Sequence, residues 1–96
     1  MTGPEIIQIL HKEMPLLRSQ FGVDEIGLFG SYVRNEASAN SDVDLLVKLN
    51  RPSFLKLAGL LNHLESILQK KVDITSKHAH LSSRFLKRIE KEIMYA

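Results

Sequence analysis

The stretch that decides the fold runs Gly30-Ser31, ten further residues, and then Asp42-Val43-Asp44-Leu45-Leu46-Val47. The two aspartates alternate with apolar residues at period two, which is typical of a β-strand. On a strand both aspartates point to one face, while Val43, Leu45 and Val47 point to the other. Two carboxylates on adjacent same-side positions of a buried strand repel each other unless a cation lies between them. The pattern therefore predicts a strand that carries a cation site.

The upstream Gly30-Ser31 pair supplies the complementary feature, a tight turn with exposed backbone N–H groups and a hydroxyl that can hold phosphate. A hard cation held by a couple of carboxylates, with phosphate oxygens completing its shell, is the usual Mg²⁺ arrangement in phosphoryl and nucleotidyl transfer. Ser31 could also cap a helix that follows Gly30. The two roles are compatible, because both use the same free N–H groups.

Outward from this stretch, the sequence predicts an α-β-α-β-α-β-α order, hence an α/β fold with a small mixed sheet of about three strands flanked by helices. Helices are expected at 3–21, at 54–69 and from about 81 onward, with one or two helical turns at 31–36. Strands are expected at 25–29, 43–49 and 71–75. Pro15 is expected to kink or split the first helix. The last two strands flank a long helix and should be parallel, whereas the pairing of the first two stays open.

Apolar residues at helical spacing predict which side of each helix is buried. The predicted buried residues are Ile7, Leu10, Met14 and Leu17 in the first helix, Phe54, Leu57, Leu61, Leu64 and Leu68 in the second, and Leu81, Phe85, Ile89 and Ile93 in the last. His11 and His63 fall on polar positions and are expected to face solvent. His78 and His80 lie two apart in a predicted loop and are weak candidates for metal ligands.

The third predicted strand contributes a further carboxylate. It reads Lys71-Val72-Asp73-Ile74-Thr75, so Asp73 faces opposite to Val72 and Ile74. If those two apolar residues are buried against the helices, Asp73 lies on the face that displays the two earlier aspartates. Two of the three carboxylates would hold metal, and the third could bind a second metal and accept the proton of an attacking hydroxyl.

Composition limits the class of protein. Ninety-six residues with 44% hydrophobic and 25% charged content predict one globular domain spanning residues 1–96. The absence of cysteine fits a cytoplasmic protein, and neither a membrane-spanning run nor a signal peptide is predicted. Net charge is +2, yet the chain from Lys70 onward has seven basic and three acidic residues. This segment is either a solvated helix face or a surface for an anionic partner, and it lacks the aromatic interleaving of single-strand nucleic-acid binders.

The complete pattern resembles the nucleotidyltransferase fold of the DNA polymerase β superfamily. The signature of that superfamily is Gly-Ser, a spacer of similar length and Asp-x-Asp, with a third carboxylate on a later strand. More narrowly, segments 28–37 and 41–47 resemble the minimal nucleotidyltransferases, short stand-alone proteins often encoded beside a HEPN-domain protein as a toxin–antitoxin pair. The resemblance covers about residues 24–94.

The resemblance implies the roles of the site residues. Gly30, Ser31 and Arg34 would bind the triphosphate of ATP, and two Mg²⁺ ions would be held by carboxylates that are also the catalytic residues. These carboxylates are Asp42, Asp44 and Asp73. Residues 34–36 read Arg-Asn-Glu, whereas the family usually has Arg-Gly-Glu in this segment. This departure at Asn35 leaves the roles of Arg34 and Glu36 open.

The resemblance further implies an antitoxin that transfers AMP from ATP to a tyrosine hydroxyl of a HEPN toxin. One alternative is transfer to a small molecule such as an aminoglycoside, for which a homodimer would form the acceptor pocket. Another is an antitoxin that neutralises its toxin by contact alone. Clustered carboxylates argue against the contact-only alternative, because without a metal they would only destabilise the fold. An open site in so short a chain favours a protein partner, with Lys77, Arg84, Lys87 and Arg88 as candidate rim contacts.

Overall fold

The computed structural model describes residues 1–78 and 81–96, which form a layered arrangement of helices and strands. In chain order they are α1 (Gly3–Phe21), β1 (Val23–Phe29), β2 (Val43–Leu49), α2 (Phe54–Leu68), β3 (Val72–Ser76), α3 (Ser83–Glu90) and β4 (Met94–Tyr95). The sheet order is β3-β2-β1-β4. β1 is antiparallel to β2 and β4, while β2 is parallel to β3. The predicted mixed α/β class and the parallel pairing are confirmed, and His80 lies outside the described residues.

The helix boundaries follow from local capping. Thr2 and Glu5 form a capping box at the start of α1, and the Ser53 side chain accepts a hydrogen bond from the Lys56 N–H at the start of α2. Pro15 lies inside α1, which is continuous from end to end, so the helix is not split. A proline removes only one helix hydrogen bond, and the buried stripe beside it holds the helix in place.

The core lies between one face of the sheet and the helices α1 and α2. Val43, Leu45 and Val47 are fully buried there, as the alternation predicts. They pack with Leu10 of α1 and Leu64 of α2. The opposite face carries Asp44 of β2 and is partly covered by α3. No helix within the described parts of the chain is long and apolar enough to cross a membrane.

Contacts along α3 explain how it lies beside the carboxylates. The Phe29 and Phe85 rings meet edge to face at 5.8 Å between centroids. A Cβ on Gly27 would collide with the Ile93 side chain, so the segment after α3 lies directly on β1. Ile89 is buried at this second interface. The last segment of the chain is therefore positioned against the turn that leaves β1.

Several details of the structure go beyond the prediction or differ from it. The structure has a short fourth strand, β4, which pairs Gly27 with Tyr95 and Leu28 with Met94. Two residues are too few to show a period in the sequence. Phe54 is 84% exposed rather than buried, because it begins α2 at the sheet edge and points beyond the core. His63 is half-buried and hydrogen-bonded to Glu13 at 2.8 Å, rather than facing solvent.

The helix faces are otherwise close to the prediction. In α1 the fully buried residue of the first turn is Ile6, and Ile7 is only half-buried. The last helix begins at Ser83, so Leu81 precedes it and Ile93 follows it. Strand β1 starts two residues earlier than predicted, and β3 is shifted by one residue. These shifts leave the orientation of the aspartates unchanged, since alternation continues through each strand.

Candidate active site

The register of the sheet brings the predicted carboxylates together. In the parallel ladder of β2 and β3, Asp44 is paired directly with Asp73. Asp42 immediately precedes β2 and lies on the same side of the chain as Asp44. Asp44 is half-buried, whereas Asp42 and Asp73 are exposed. The three side chains thus line one end of the sheet, with the most buried of them in the middle.

The electrostatics of this cluster mark Asp44 as its centre. Burial raises the pKa of Asp44 above its ordinary value, and the charges of Asp73 and Asp42 raise the pKa further. Arg34 acts in the opposite direction on the same carboxyl. An anionic Asp44 is therefore disfavoured in the free protein and would be favoured by a cation placed among the three carboxylates.

The donor set fits magnesium. Carboxylate oxygens are the ligands that Mg²⁺ prefers, and Mg²⁺ is usually bound by one or two carboxylates together with substrate phosphates. Among the residues the structure describes, no group of three His, Cys, Asp or Glu side chains could hold a metal ion by itself. This open arrangement is compatible with a metal that also needs phosphate oxygens.

The Gly30 turn lies against the central carboxylate. β1 ends with Phe29 paired to Asp44, so the next residue leaves the sheet beside that side chain. Gly30 has a φ of +84°, and a Cβ built on it would collide with the Asp44 carboxylate. The Gly30 carbonyl accepts hydrogen bonds from the N–H groups of Val33 and Arg34. Glycine is required here both by the left-handed backbone and by the close approach.

The segment after Gly30, where the sequence predicts one or two helical turns, is a tight series of turns. It closes with a hydrogen bond of 2.9 Å from the Glu36 N–H to the Ser31 carbonyl. Asn35 has a φ of +58°, the left-handed conformation that glycine adopts most easily and that asparagine tolerates better than most residues. The backbone thereby accommodates Asn35, the residue at which the sequence departs from the family that it resembles.

Glu92 is a site residue that the sequence does not predict. Its carboxylate accepts a hydrogen bond of 3.2 Å from the Gly30 N–H. It also accepts two hydrogen bonds, of 3.1 and 3.0 Å, from Nη1 of Arg34. Arg34 donates through Nε to Glu36 as well, and these carboxylates together raise the pKa of Arg34. Because 62 residues separate Gly30 from Glu92, no local pattern could have revealed the contact.

Two of the donors predicted to bind triphosphate are thus occupied by Glu92. Ser31 is different, since no hydrogen bond between described residues uses its N–H or its hydroxyl as donor. Ser31 is therefore the predicted phosphate-binding residue whose donors are available. Its neighbour Tyr32 is buried, with the Lys70 ammonium 5.8 Å from the ring centroid.

A cavity of about 400 Å³ opens between the turn and α3. Its polar lining consists of Gly30, Arg34, Asp44, Arg88 and Glu92. Phe29 and Ile89 supply its apolar lining. Arg88, predicted as a solvated residue or a rim contact, is exposed and also lines this cavity, with its guanidinium 5.4 Å from the Phe85 ring centroid. Lys77 forms an ion pair with Glu25 at 3.6 Å.

The chain is similar to known proteins in both sequence and structure. The nucleotidyltransferase domain family matches residues 11–95 of the chain. The protein adenylyltransferase MntA of Thermococcus cleftensis is 45% identical over 96 residues, covering 99% of this chain and 96% of that protein. A solved structure described as a minimal nucleotidyltransferase is similar with a TM-score of 0.77 and 31% identity, over 94% of this chain and 92% of that chain. A toxin–antitoxin structure with AMP-PNP is similar with a TM-score of 0.67 and 26% identity, over 88% of this chain and 69% of that chain.

Proposed function

The chain belongs to the nucleotidyltransferase domain family as one of its minimal members, and from this premise we propose that it is a magnesium-dependent protein adenylyltransferase. In this proposal it acts as a cytoplasmic antitoxin that transfers AMP from ATP to a tyrosine hydroxyl of a HEPN toxin. The observation that carries the proposal is the Asp44–Asp73 pair in the β2–β3 ladder, with the Gly30 turn directly beside Asp44. In this proposal the phosphate donors and the metal ligands lie on adjacent elements.

Each site residue has its own role in the proposed reaction. The Ser31 N–H and hydroxyl bind the triphosphate, while Asp42, Asp44 and Asp73 form the metal-binding set. Bound magnesium would offset the charge that develops on the departing pyrophosphate. The tyrosine oxygen forms a bond to the α-phosphorus as the bond from that phosphorus to pyrophosphate breaks. The tyrosine proton passes to Asp73, the exposed carboxylate at the open edge of the site.

The similar proteins support the proposed adenylyl transfer and its use of a nucleotide. The relative from Thermococcus cleftensis is named a protein adenylyltransferase, and one similar structure is a toxin–antitoxin complex with an ATP analogue. The site of this chain is open on the side of Asp73, so an acceptor as large as a protein can approach it. A carboxylate cluster whose central pKa is raised is costly to keep unless a cation binds there, which argues against a purely contact-based antitoxin.

The deciding experiment is incubation of the protein with ATP, Mg²⁺ and the product of the neighbouring gene, followed by mass spectrometry of that product. The proposal expects a mass increase of one or more AMP groups on tyrosine. The reaction should stop when EDTA removes the metal. A wild-type protein that neutralised the toxin without any mass change would establish the contact-based alternative. Equal modification of free small hydroxyl compounds would favour the small-molecule alternative instead.

An apolar surface beside Asp73 favours a protein acceptor. Phe54 and Leu55 are 84% and 83% exposed at the start of α2. Phe54 also lines a groove of about 360 Å³ between α2 and β3, to which Leu57, Ile74 and Asp73 contribute as well. We define Phe54, Leu55 and this groove as the acceptor surface. A partner that presents a hydroxyl to Asp73 would cover it, and exposed large apolar side chains of this kind mark interaction sites.

The acceptor surface can be tested with Phe54→Ser and Leu55→Ser combined. Truncating two central apolar contacts should weaken toxin binding by about ten- to a hundredfold, at about 1.4 kcal/mol for each factor of ten. Isothermal titration calorimetry with toxin and, separately, with MgATP would measure both affinities, and the MgATP affinity should not change. Tyr95→Ser, an exposed aromatic position on the opposite edge strand, is the matched control. Unaltered toxin binding in the double variant would show that the toxin docks elsewhere.

Asp73→Asn should separate turnover from nucleotide binding. Loss of the proton acceptor should lower kcat by about a hundredfold or more, the usual effect of removing a general base. The dissociation constant of MgATP should change far less, because Asp42 and Asp44 remain. Single-turnover kinetics together with calorimetry provide both values, and Asp24→Asn, an exposed position on β1, serves as control. A variant that lost MgATP binding but retained its rate would reverse the assigned roles.

A further inference from the structure

The Glu92 side chain is hydrogen-bonded to the turn of residues 30–34, which is proposed to bind phosphate. The β1–β4 ladder pairs Leu28 with Met94, and continuing this antiparallel register by two residues brings Glu92 opposite Gly30. The hydrogen bond of 3.2 Å from the Gly30 N–H to the Glu92 carboxylate follows from that placement. The sheet therefore fixes where the Glu92 carboxylate lies.

The segment that carries Glu92 is held firmly. The N–H groups of Glu92 and Ile93 both donate to the carbonyl of Ile89, at 3.0 and 2.8 Å. Ile89 is buried and Ile93 packs over Gly27. The Glu92 side chain is only 21% exposed. These contacts restrain the position of the Glu92 carboxylate, so it is suited to hold a neighbouring segment in place.

The contacts of Glu92 reach both ends of the turn. One of its oxygens accepts from the first residue, Gly30, and both accept from Arg34, four residues later. Hydrogen bonds to a charged carboxylate are stronger than neutral ones, so these bonds restrain the turn more than backbone contacts alone would. Ser31 lies between the two restrained positions, and neither its N–H nor its hydroxyl donates a hydrogen bond to another described residue.

We propose that Glu92 is a positioning residue for nucleotide binding, which acts through the Gly30–Arg34 turn to hold the Ser31 donors toward the triphosphate. The inference rests on the proposed function, since it assigns the same site to ATP. It gives Arg34 a structural role, in which its guanidinium ties the turn to Glu92. Preorganised donors bind more tightly because less freedom is lost when the ligand arrives.

The test measures MgATP affinity by calorimetry on the full chain without toxin, well below the melting temperature of each variant. Glu92→Ala should raise the dissociation constant about tenfold. Glu92→Gln should have an intermediate effect, because the amide oxygen still accepts from Gly30 but the charge is lost. Glu90→Ala, an exposed glutamate two residues earlier, should match wild type.

A double-variant comparison separates positioning from general stability. If Glu92 acts through Ser31, the losses of MgATP affinity caused by Glu92→Ala and Ser31→Ala should be less than additive when combined. Additive losses would overturn the inference. A higher affinity in Glu92→Ala would also overturn it, because that result would mean that the carboxylate competes with phosphate for Gly30 and Arg34.

The remaining outcomes distinguish this inference from the proposed function. Unchanged MgATP affinity in Glu92→Ala overturns the positioning role and leaves the proposed function standing. If wild type binds MgATP, loses affinity on Glu92→Ala and yet modifies no protein, the proposed function fails and the positioning role stands. A wild-type protein that binds no MgATP overturns both.

Discussion

Asp44→Asn should abolish adenylyl transfer and at the same time raise the melting temperature of the metal-free protein. Metal coordination supplies several kcal/mol of transition-state stabilisation, so transfer should fall by at least about a thousandfold. Burial and the charges of Asp73 and Asp42 raise the pKa of Asp44, which means that the ionised form is disfavoured in the folded state. Asparagine removes that charge. Mass spectrometry of the toxin and calorimetric melting measure the two effects.

The pH dependence of this stabilisation has a defined sign. With its pKa raised by folding, Asp44 favours the folded protein below its ordinary pKa, and this contribution is lost as the pH rises through the folded value. The gain from Asp44→Asn should therefore be full at neutral pH and disappear as the pH falls well below about 4, the ordinary pKa of an aspartate, because the carboxyl is then neutral in both states. Asp24→Asn, an exposed control, should show neither effect. Transfer close to wild type in Asp44→Asn would contradict the metal-dependent mechanism.

Gly30→Val should lose MgATP binding and reduce the free energy of unfolding by about 2–4 kcal/mol. The backbone of Gly30 has a φ of +84°, which a β-branched residue adopts only with strain. In addition, any Cβ at this position meets the Asp44 carboxylate. Chemical denaturation and calorimetry with MgATP measure the two losses.

Two further glycine variants make this result interpretable. Gly30→Ala introduces the same collision with less bulk and provides a folded protein if the valine variant does not fold. Gly59→Ala in α2 is the control, because its Cβ would meet only the Phe21 ring and alanine favours a helix. Normal MgATP affinity in a folded Gly30 variant would show that the turn does not face the nucleotide.

The parts of the structure that the sequence predicts are those determined by local pattern. Strand β2 has the predicted bounds. Its orientation is also predicted, because charged residues on one face and apolar residues on the other allow only one face to be buried. The same period predicts the side on which Asp73 lies, even though β3 is shifted by one residue. Neighbouring parallel strands then bring Asp44 and Asp73 into register.

The parts that the sequence does not predict depend on contacts between distant segments. β4 exists because the chain after α3 reaches the free edge of β1, and two residues show no period of their own. In the sequence, Glu92 is only one of several charged residues in a basic segment. The pairing of β4 with β1 is what places it beside Gly30. Phe54 fits the apolar stripe of α2 by spacing, yet the first turn of this helix extends beyond the core. Spacing along a helix cannot show where the neighbouring layer ends.

The antiparallel pairing of β1 and β2 makes the site independent of the loop that joins its two halves. Phe29 lies opposite Asp44, so the turn meets the carboxylate across the sheet, whatever path the chain takes between them. Residues 37–41 are held locally, by hydrogen bonds between Ser38 and Ser41, and lie outside every strand. Insertions or deletions in this connection would change its length without moving either half of the site. The part of the ten-residue spacer at residues 37–41 is therefore free to vary, whereas the turn before it and the hydrogen-bond ladder are not.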